Sequence, residues 1–439
     1  MTDRRVVVTG IGVVSPCGIG VTSFWNGISS GQSCAVLLDS PEISSLPTRF
    51  AAQLPMDDDE LSRFVNNRKT IKTLSRPGKM AIIAAQEAIK SSGIDFTKLD
   101  PYRVGTSMGA GGVGLWDTGH SRRLLDTLLL SVTSQNSGEL DYSQIWTNVL
   151  ENIHPLTPLC GLSNVPTAQI AIMANARGNC HTTTTACTSS TQSIGQAMRQ
   201  IKSGVADIII AGGADSMINP YGLVSFSMLG VLSKNNKDWQ NAARPFDKQR
   251  DGFMIGEGSA IFILEEFEHC RRRGGKILAE LCGYSSTNDA YRLTDEPEEA
   301  WGAIAAMKYC LDDAQLNLEE IDYINTHGTG TIMNDKTETF AIKQAFGTHA
   351  YNLAISSLKG TVGHLVAAAG AIEFAASVLS IENNLIPPTI NYEEPDENCD
   401  LDCVPNKARE VNLNSVLTNS FGFGGQNACL VLNKYNGKI

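Results

Sequence analysis

The 439-residue sequence contains no run of about eighteen uninterrupted apolar residues, so we expect no membrane span. Its amino end has basic residues but no apolar stretch long enough for a signal sequence. It also has no surplus of basic residues: 35 Lys and Arg stand against 46 Asp and Glu, and the net charge of −11 argues against a general nucleic-acid-binding protein. Eleven cysteines, a modest and odd number, do not form the dense disulfide framework of a small secreted domain. We therefore predict a cytoplasmic protein with reduced thiols.

Short β-branched runs alternate with helical patterns along the chain, which is 42% hydrophobic. The predicted strands are residues 6–9, 207–211, 259–264, 323–326, 353–356 and 428–432. Residues 79–92 carry apolar side chains at helical spacing, and Ala-rich stretches after Cys187 and after His364 also predict helices. This alternation of strands and helices indicates a layered α/β fold.

The two halves of the chain are weakly similar. Cys187 and His364 each follow a strand-like run, and each precedes a helical stretch that contains Ala and Gly. The charged and flexible residues 271–275 mark the division between the halves. We therefore predict an N-terminal half over residues 1–273 and a C-terminal half over residues 274–439.

Residues 109–114 spell a literal Gly-x-Gly-x-x-Gly after a strand-like segment at 102–104, which raises the possibility of a dinucleotide site. The next twenty residues supply no second strand that ends in an acidic residue, as the ribose contact of such a site requires. A close backbone approach in a packed or dimer-facing loop is the better interpretation. The neighbouring residues 116–160 are predicted to leave the core as an excursion, partly helical at 122–130 and 142–150.

The most informative stretch is Thr-Thr-Ala-Cys-Thr-Ser-Ser at residues 184–190, followed by a helical pattern. Small polar residues on both sides of Cys187 favour a strand-to-helix turn. There the free amides and the helix dipole lower the pKa of a thiol and make it nucleophilic. The alternative is a buried structural cysteine, which is the more common situation for a single thiol.

Two of the seven histidines also lie at corners between elements. His327 follows a predicted strand in Asn-Thr-His-Gly-Thr-Gly-Thr, and His364 is predicted at the start of the second Ala-rich helix. A neutral imidazole at such a position can donate an N–H to a developing oxyanion, although a single histidine there is more often a satisfied core residue. Residues 419–427, Asn-Ser-Phe-Gly-Phe-Gly-Gly-Gln-Asn, form a glycine loop that either points an amide into a cavity or turns before the last strand.

Cys187, His327, His364 and the Phe-Gly-Phe-Gly-Gly loop occur in one order that resembles the condensing enzymes of the thiolase fold, specifically β-ketoacyl-acyl-carrier-protein synthase II. The similarity runs over nearly the whole chain and includes Arg-Pro-Phe-Asp at 244–247 and Arg-Asp-Gly-Phe at 250–253. The resemblance implies a five-layered αβαβα fold built from two similar halves and paired as a dimer. It also implies decarboxylative condensation, in which a malonyl thioester extends an acyl chain.

The resemblance assigns roles to individual residues. Cys187 matches the residue that carries the acyl chain as a thioester, and His327 and His364 match the pair that stabilises the enolate. Lys359 matches the active-site lysine and Glu373 its carboxylate, and Asp335 and Glu338 match structural acids. Thr329 and Thr331 match pantetheine contacts, and Ala110 and Phe226 match residues of the acyl pocket. The oxyanion-hole amides would come from Cys187 and Phe423, and Phe423 with Gly424 would form the gate.

The same resemblance implies an acyl carrier protein as partner, with substrates carried on its phosphopantetheine, and no metal or redox cofactor. Because a carrier protein is acidic, this acidic chain needs a local cationic surface. Arg68 and Lys69 match a carrier-facing pair, although a solvated helix face explains them equally well; the basic residues 271–273 are a weaker candidate. Ala110 replaces a bulkier aliphatic residue of the family, which predicts a deeper or wider acyl pocket.

Other functions remain open from the sequence alone. The main alternative is a ketosynthase of a type II polyketide or polyene pathway, paired with a related chain-length subunit. A catalytically silent partner subunit would have lost Cys187, and a degradative thiolase would bring a second cysteine in a late Cys-x-Gly motif, which Cys429 does not supply. Cys399 and Cys403 have no neighbouring ligands in the sequence to complete a zinc site, so we expect them to pack in the core.

Overall fold

The computed structural model describes residues 4–111, 127 and 142–437. The helix predicted at 122–130 and the second half of the glycine motif at 109–114 lie outside these residues, except for position 127. The described strands are β1 (Val6–Ser15), β2 (Gly18–Ile19), β3 (Ala35–Leu37), β4 (Phe50–Ala52), β5 (Val104–Ala110), β6 (Cys180–Thr183), β7 (Ile208–Ser216), β8 (Glu257–Glu266), β9 (Ala279–Asn288), β10 (Tyr323–Asn325), β11 (Ala354–Ser356), β12 (Leu385–Ile386), β13 (Arg409–Glu410), β14 (Ser415–Gly422) and β15 (Gln426–Asn433).

Helices of very different length connect these strands. The described α-helices are α1 (Val21–Ser29), α2 (Asp58–Ser62), α3 (Arg68–Ile71), α4 (Arg76–Ser92), α5 (Tyr142–Asn152), α6 (Thr157–Cys160), α7 (Val165–Met173), α8 (Ser189–Lys202), α9 (Pro220–Met228), α10 (Phe267–Arg273), α11 (Trp301–Ala314), α12 (Ile332–Phe346), α13 (Lys359–Val362) and α14 (Ala369–Asn383). All six predicted strands are confirmed, as are the helices predicted at 79–92 and 142–150. The strand predicted at 102–104 is wrong, because Pro101 and the side chain of Asp100, which accepts from the Tyr102 N–H, start a 3-10 turn before β5.

The strands form the same pairing pattern twice. In one group β6, β5 and β7 are parallel and continue antiparallel through β8 to β1. In the other, β11, β10 and β14 are parallel and continue antiparallel through β15 to β9. The two groups meet where residues Val6 to Val8 of β1 pair with β9. This repetition confirms the prediction of two similar halves.

Helices separate and cover the two groups of strands. Helices α8 and α14 pack against each other between the groups, while α4 and α7 cover one outer face and α11 and α12 the other. The order is therefore α, β, α, β, α, as predicted. Helix α14 is mostly apolar because it is surrounded by protein: residues 366–383 are long and apolar enough to cross a membrane, but 83% of that stretch is buried inside the fold.

The two central helices approach so closely that one of them needs a glycine at the contact. A Cβ atom placed on Gly370 of α14 would lie 1.8 Å from Oγ1 of Thr191 on α8. The Thr191 hydroxyl is itself hydrogen-bonded to Ser420 of β14 at 2.7 Å. Because Cys187 immediately precedes α8 and His364 shortly precedes α14, this contact fixes the distance between the two segments that carry them.

Candidate active site

Cys187 lies in a tight turn between β6 and α8. The preceding Ala186 has φ +50°, a left-handed conformation that costs an alanine about 1–2 kcal/mol. The Ser189 hydroxyl stabilises the turn, because it accepts from the Thr185 N–H at 2.8 Å and donates to the Ala186 carbonyl at 2.6 Å. The small polar residues of this stretch thus hold a strained backbone that turns the cysteine toward the adjacent cavity.

The thiol of Cys187 is 8% exposed, and burial raises its pKa to about 12. The nearby charge of Lys359 and the backbone amide of Phe423 act in the opposite direction but do not overcome burial. The expectation of a lowered thiol pKa is therefore wrong, because desolvation of the thiolate outweighs the start of helix α8. Cys187 is therefore a neutral thiol near neutral pH, and it would have to lose its proton to act as a nucleophile.

His327 follows β10 in a loop that a buried carboxylate supports. The backbone N–H groups of His327 and Gly328 both donate to Glu338 of α12, at 2.9 and 2.7 Å. The Lys359 ammonium lies 3.3 Å from His327 Nδ1. Because an ammonium can only donate, Nδ1 is an acceptor and the proton of this imidazole is on Nε2.

His364 lies between the one-turn helix α13 and a 3-10 turn at Val366–Ala368, so it precedes α14 by several residues and does not start that helix as predicted. Its Nδ1 accepts from the Val366 N–H at 3.1 Å, which places the ring proton on Nε2. The ring of Phe253 packs edge-on against it at 4.9 Å between ring centres. Burial and the charge of Lys359 lower the pKa of both His364 and His327 well below the usual value, so both imidazoles are neutral.

Lys359 and Glu373 form a buried ion pair behind the two histidines. The Lys359 ammonium also donates to the His327 carbonyl oxygen, so it contacts this residue at both backbone and ring. Burial raises the pKa of Glu373, while the attraction of Lys359 acts to lower it. Since side-chain exposure is only 2% for Lys359 and 3% for Glu373, the positions of both are set by each other and by the surrounding core.

Ligand atoms of Cys187, His327 and His364 all lie within 4.8 Å of one another. The two imidazole rings are nearly perpendicular, with centres 5.2 Å apart. The structure therefore brings one thiol and two neutral Nε2–H donors to one point. Cysteine and histidine are also zinc ligands, but zinc binding here would require both Nε2 atoms to give up the protons that these contacts assign to them.

A cavity of about 310 Å³ opens onto this point, a size typical of ligand-binding clefts. Seven of the residues predicted for the site line this cavity: Cys187, His327, His364, Thr329, Thr331, Phe226 and Phe423. The hydroxyls of Thr329 and Thr331 lie 2.9 Å apart, and that of Thr331 also accepts from the Asn334 N–H at the start of α12. The lining continues through apolar and acidic side chains: Val231, Asp251, Phe253, Asp289, Leu293, Asp295, Glu296, Ile332, Met333 and Phe421.

The two predicted structural acids support the wall of this cavity. Asp335 accepts from the Phe246 N–H at 2.7 Å and from the Gly330 N–H at 3.1 Å, beside Arg250. Glu338 accepts from Asn419 at 3.2 Å in addition to the two N–H groups at His327 and Gly328. Burial raises the pKa of Glu338 to about 7.

Other predicted residues lie away from the cavity. Ala110 ends β5 and lines a second, small cavity of about 30 Å³. Arg68 and Lys69 are exposed on the short helix α3. The Gly424 N–H donates to the Leu293 carbonyl at 2.7 Å, so this amide shapes the loop and leaves the donor position near Cys187 to Phe423.

Three residues of the site were not predicted from the sequence. Phe253 contacts His364, and its motif at 250–253 was visible as a family match without a role. Asp215 accepts from the Ala367 N–H at 2.9 Å and joins β7 to the turn before α14; burial raises its pKa to about 6. Glu296 lines the cavity, and burial raises its pKa to about 8. Neither acid has a sequence signal, because its position depends on strands and loops that meet only in the folded chain.

Comparison with known proteins gives a consistent family. Residues 3–269 match the family described as "Beta-ketoacyl synthase, N-terminal domain", and residues 278–393 match its C-terminal domain. The chain is 39% identical to 3-oxoacyl-[acyl-carrier-protein] synthase 2 of Coxiella burnetii over 435 residues, 99% of each chain. It is 36% identical to the tetracenomycin polyketide synthase ketoacyl synthase alpha subunit of Streptomyces glaucescens over 430 residues, 98% of this chain and 97% of that one.

Two solved structures have the same fold. A chain of the complex between a type II polyketide synthase acyl-carrier protein and its ketosynthase bound to the hexaketide superposes with a TM-score of 0.86 and 31% identity, covering 99% of this chain and 100% of that one. The ishigamide ketosynthase/chain length factor gives the same TM-score, identity and coverage. The protein belongs to the β-ketoacyl synthase family and is a condensing acyltransferase of the thiolase fold.

Proposed function

We propose that this protein joins an acyl chain carried on Cys187 to a malonyl thioester and releases a β-ketoacyl thioester that is two carbons longer. The observation that supports this most directly is the meeting of one thiol with two neutral Nε2–H donors at the end of a single cavity. Decarboxylative condensation needs a nucleophile, donors for an enolate oxygen and a site with little water, and these residues supply each of them.

The first half-reaction loads the acyl chain. Cys187 Sγ attacks the carbonyl of an acyl thioester, a new C–S bond forms, the original C–S bond breaks, and the thiol proton ends on the leaving sulfur. The backbone amides of Cys187 and Phe423 hold the oxyanion of this step; the Phe423 amide already faces the sulfur. The charge of Lys359 favours the transient thiolate, which offsets part of the cost of its burial.

The second half-reaction removes carbon dioxide from the malonyl group. The bond to the carboxylate breaks, and its electron pair moves into an enolate whose oxygen accepts from Nε2–H of His327 and His364. The enolate carbon then attacks the Cys187 thioester carbonyl, and the thiolate leaves and takes a proton from solvent. Lys359, held by Glu373, keeps the His327 ring in the tautomer that donates from Nε2.

The substrates in this proposal are carried on the phosphopantetheine of an acyl carrier protein, and no other cofactor takes part. Thr329 and Thr331 offer hydroxyls in the cavity for the amides of this arm. Arg68 and Lys69 form the docking site of the acidic carrier, since both are exposed and basic. A ketosynthase in complex with its acyl-carrier protein is among the solved structures with this fold.

The pathway served is fatty-acid elongation, with a type II polyketide or polyene pathway as the alternative. Relatives named for both functions cover nearly the whole chain at similar identity. In fatty-acid elongation the active assembly is a homodimer. In a polyketide or polyene pathway it is a heterodimer with a chain-length subunit, of the kind named in the ishigamide ketosynthase/chain length factor structure. The protein acts in the cytoplasm, and its division into residues 1–273 and 274–439 places Cys187 in one half and both histidines in the other.

We propose that Ala110 influences acyl-chain length although it lies outside the 310 Å³ cavity. Its small side chain lines the separate cavity of about 30 Å³ at the end of β5, together with Ala214 and Met217. Replacement by isoleucine narrows this space, so Ala110→Ile is expected to shift the preferred acyl chain to shorter lengths. An unchanged chain-length profile, measured with a series of acyl-carrier proteins bearing graded acyl groups, would contradict this role.

One experiment tests the proposed function as a whole. The purified protein is incubated with malonyl-carrier protein and a panel of acyl donors, and mass spectrometry identifies which acyl group loads and which product forms. Cys187→Ala is expected to abolish loading. Cys187→Gln, whose side chain resembles an acylated cysteine, is expected to release carbon dioxide from malonyl-carrier protein without condensation; condensation by this variant would refute the mechanism.

A further inference from the structure

Cys17 and Cys34 lie side by side, with their Sγ atoms 3.2 Å apart. Cys17 is in the turn between β1 and β2, and Cys34 immediately precedes β3. Both residues are partly exposed, whereas Cys187 is buried. Neither residue lines the cavity of Cys187, and the proposed condensation uses neither.

The surroundings of the two cysteines hold their backbones in place. A Cβ atom on Gly27 of α1 would lie 2.4 Å from Cys17 Sγ, so the glycine creates the space that this thiol occupies. The Cys34 N–H donates to the Thr361 carbonyl at 2.9 Å, and the neighbouring Ser33 hydroxyl contacts the Gly360 carbonyl at 3.3 Å. The two thiols therefore meet from separately anchored segments.

The distance between the sulfur atoms allows a covalent bond with little movement. A disulfide needs about 2.05 Å between the sulfur atoms, so the two must approach by about 1 Å. The contact also separates the reactivity of the two thiols. The contact between the two thiols lowers the pKa of Cys34, while the same contact and burial raise the pKa of Cys17.

We propose that Cys17 and Cys34 form a thiol–disulfide exchange site that reacts with low-molecular-weight disulfides such as glutathione disulfide, ahead of the catalytic Cys187. The Cys34 thiolate attacks one sulfur of the small disulfide, a bond forms between Cys34 and that sulfur, and one thiolate leaves. Cys17 then loses its proton to solvent and attacks Cys34 Sγ, which closes the protein disulfide and releases the second thiolate. Two protein thiols are thus oxidised, and one small disulfide is reduced to two thiols.

The order of reaction follows from the contrast with Cys187. Thiol–disulfide exchange proceeds through the thiolate and requires access to the sulfur. Cys34 is partly exposed and its contact with Cys17 lowers its pKa, whereas Cys187 is buried and burial raises its pKa to about 12. Disulfides of proteins in reducing compartments are mostly catalytic or redox-sensing, so a reversible bond is expected here.

The test titrates the full-length protein with buffers of reduced and oxidised glutathione, blocks the remaining thiols with an alkylating reagent, and maps all eleven cysteines by mass spectrometry. We expect a peptide pair joined through Cys17 and Cys34, lighter by two hydrogen atoms, while Cys187 remains free and still accepts an acyl group. Addition of dithiothreitol restores both thiols. Alkylation of Cys34 at full extent in the oxidising buffer, or oxidation of Cys187 first, would overturn the proposal.

Two serine variants separate exchange from general oxidation. Cys17→Ser lacks the resolving thiol, so it is expected to accumulate a stable glutathione adduct on Cys34. Cys180→Ser is the control, because Cys180 is exposed on β6 and its loss leaves the Cys17–Cys34 bond unchanged. A Cys17→Ser protein without the adduct contradicts the proposed attack by Cys34. Because mapping of the unmodified protein needs neither variant nor any condensation assay, failure of the proposed function leaves this test intact.

Discussion

The two sides of the cavity differ in how firmly they hold their residues. The rear wall, consisting of Lys359, Glu373, Glu338 and Asn419, is buried and connected by charge-assisted hydrogen bonds. The outer lining, consisting of Phe226, Leu293, Glu296 and Phe423, is at least partly exposed and lies in loops or at the surface of a helix. The outer lining borders the 310 Å³ cavity directly, whereas the rear wall does not line it and acts through contacts with His327, which does.

Under the proposed function, this difference separates residues that position the reacting groups from residues that determine which substrates bind. The rear wall determines the tautomers and positions of the histidines, so any change there alters the reacting atoms. The outer lining contacts what enters the cavity, and its side chains have room to be exchanged. We therefore expect substitutions in the rear wall to lower the rate with every substrate, and substitutions in the outer lining to change the preference among substrates.

The largest effect is expected for Lys359→Met. Loss of the ammonium removes the donor to His327 Nδ1 and lowers carbon dioxide release from malonyl-carrier protein by about 10²- to 10³-fold. It also leaves Glu373 buried without its partner, which costs roughly 3–5 kcal/mol of folding free energy. The double variant Lys359→Met with Glu373→Gln is the control: its stability is expected to recover while its rate does not. A folded Lys359→Met protein that decarboxylates at the normal rate would remove the basis for this comparison.

The next effect concerns pH and the outer lining. Burial first, and then repulsion by Glu338, Asp289 and Asp335, raise the pKa of Glu296 to about 8. The folded protein thus binds this proton more tightly than the unfolded chain, and stability falls as pH rises from about 4.5 to about 8. At about 1.4 kcal/mol per pKa unit, discounted for partial solvation, Glu296→Gln is expected to be roughly 2 kcal/mol more stable than the natural protein at pH 8.5.

Urea unfolding at several pH values measures this difference. The stabilities of Glu296→Gln and of the natural protein should coincide below about pH 4, where Glu296 is neutral in both the folded and the unfolded chain. Asp295→Asn is the matched control, since Asp295 is exposed and pairs with Arg292 at 3.2 Å. A constant gap between Glu296→Gln and the natural protein at all pH values would mean that the carboxyl ionises normally.

A change of about tenfold is expected for Phe226→Ala. The ring packs edge-on against Phe253 at 5.8 Å and contributes apolar surface to the cavity. Its loss should lower kcat/KM for long apolar acyl donors by about tenfold, mainly through KM, because burial of an aromatic ring is worth about 1.5 kcal/mol or more. Decarboxylation by the Cys187→Gln, Phe226→Ala double variant should equal that of Cys187→Gln. If kcat/KM falls equally with all acyl donors, Phe226 supports the reacting groups and does not select among substrates.

The smallest effect is expected outside the cavity. Replacement of Arg68 and Lys69 by alanine should raise KM for carrier-bound malonyl about threefold and weaken the dependence of KM on salt. Malonyl-pantetheine without a carrier should react as before. Arg271→Ala is the control, because this exposed arginine pairs with Glu268 and belongs to the basic stretch that we consider the weaker candidate. If Arg271→Ala raises KM as much as the replacement of Arg68 and Lys69 does, the proposed docking role of Arg68 and Lys69 is contradicted.

The fold was largely accessible from the sequence because each central element has one strong local signal. Fully buried β1 appears as Val-Val-Val and the largely buried α14 as an Ala-rich run, and both were predicted close to their observed positions. Cys187, His327 and His364 were identified from local motifs. The direction of the pKa shift of the Cys187 thiol was not predicted correctly, because burial depends on how the layers assemble. Glu296 and Asp215 were missed for the same reason, as no neighbouring residues in the chain announce that a carboxyl will be enclosed.

The contact between Gly370 and Thr191 has a consequence for sequence divergence. Any side chain at position 370 collides with the hydroxyl at position 191, which also bonds Ser420. A side chain at position 370 therefore requires a smaller residue at position 191, and that change also removes the hydrogen-bond partner of Ser420. Among distant relatives, we expect a residue other than glycine at position 370 only where position 191 has changed as well.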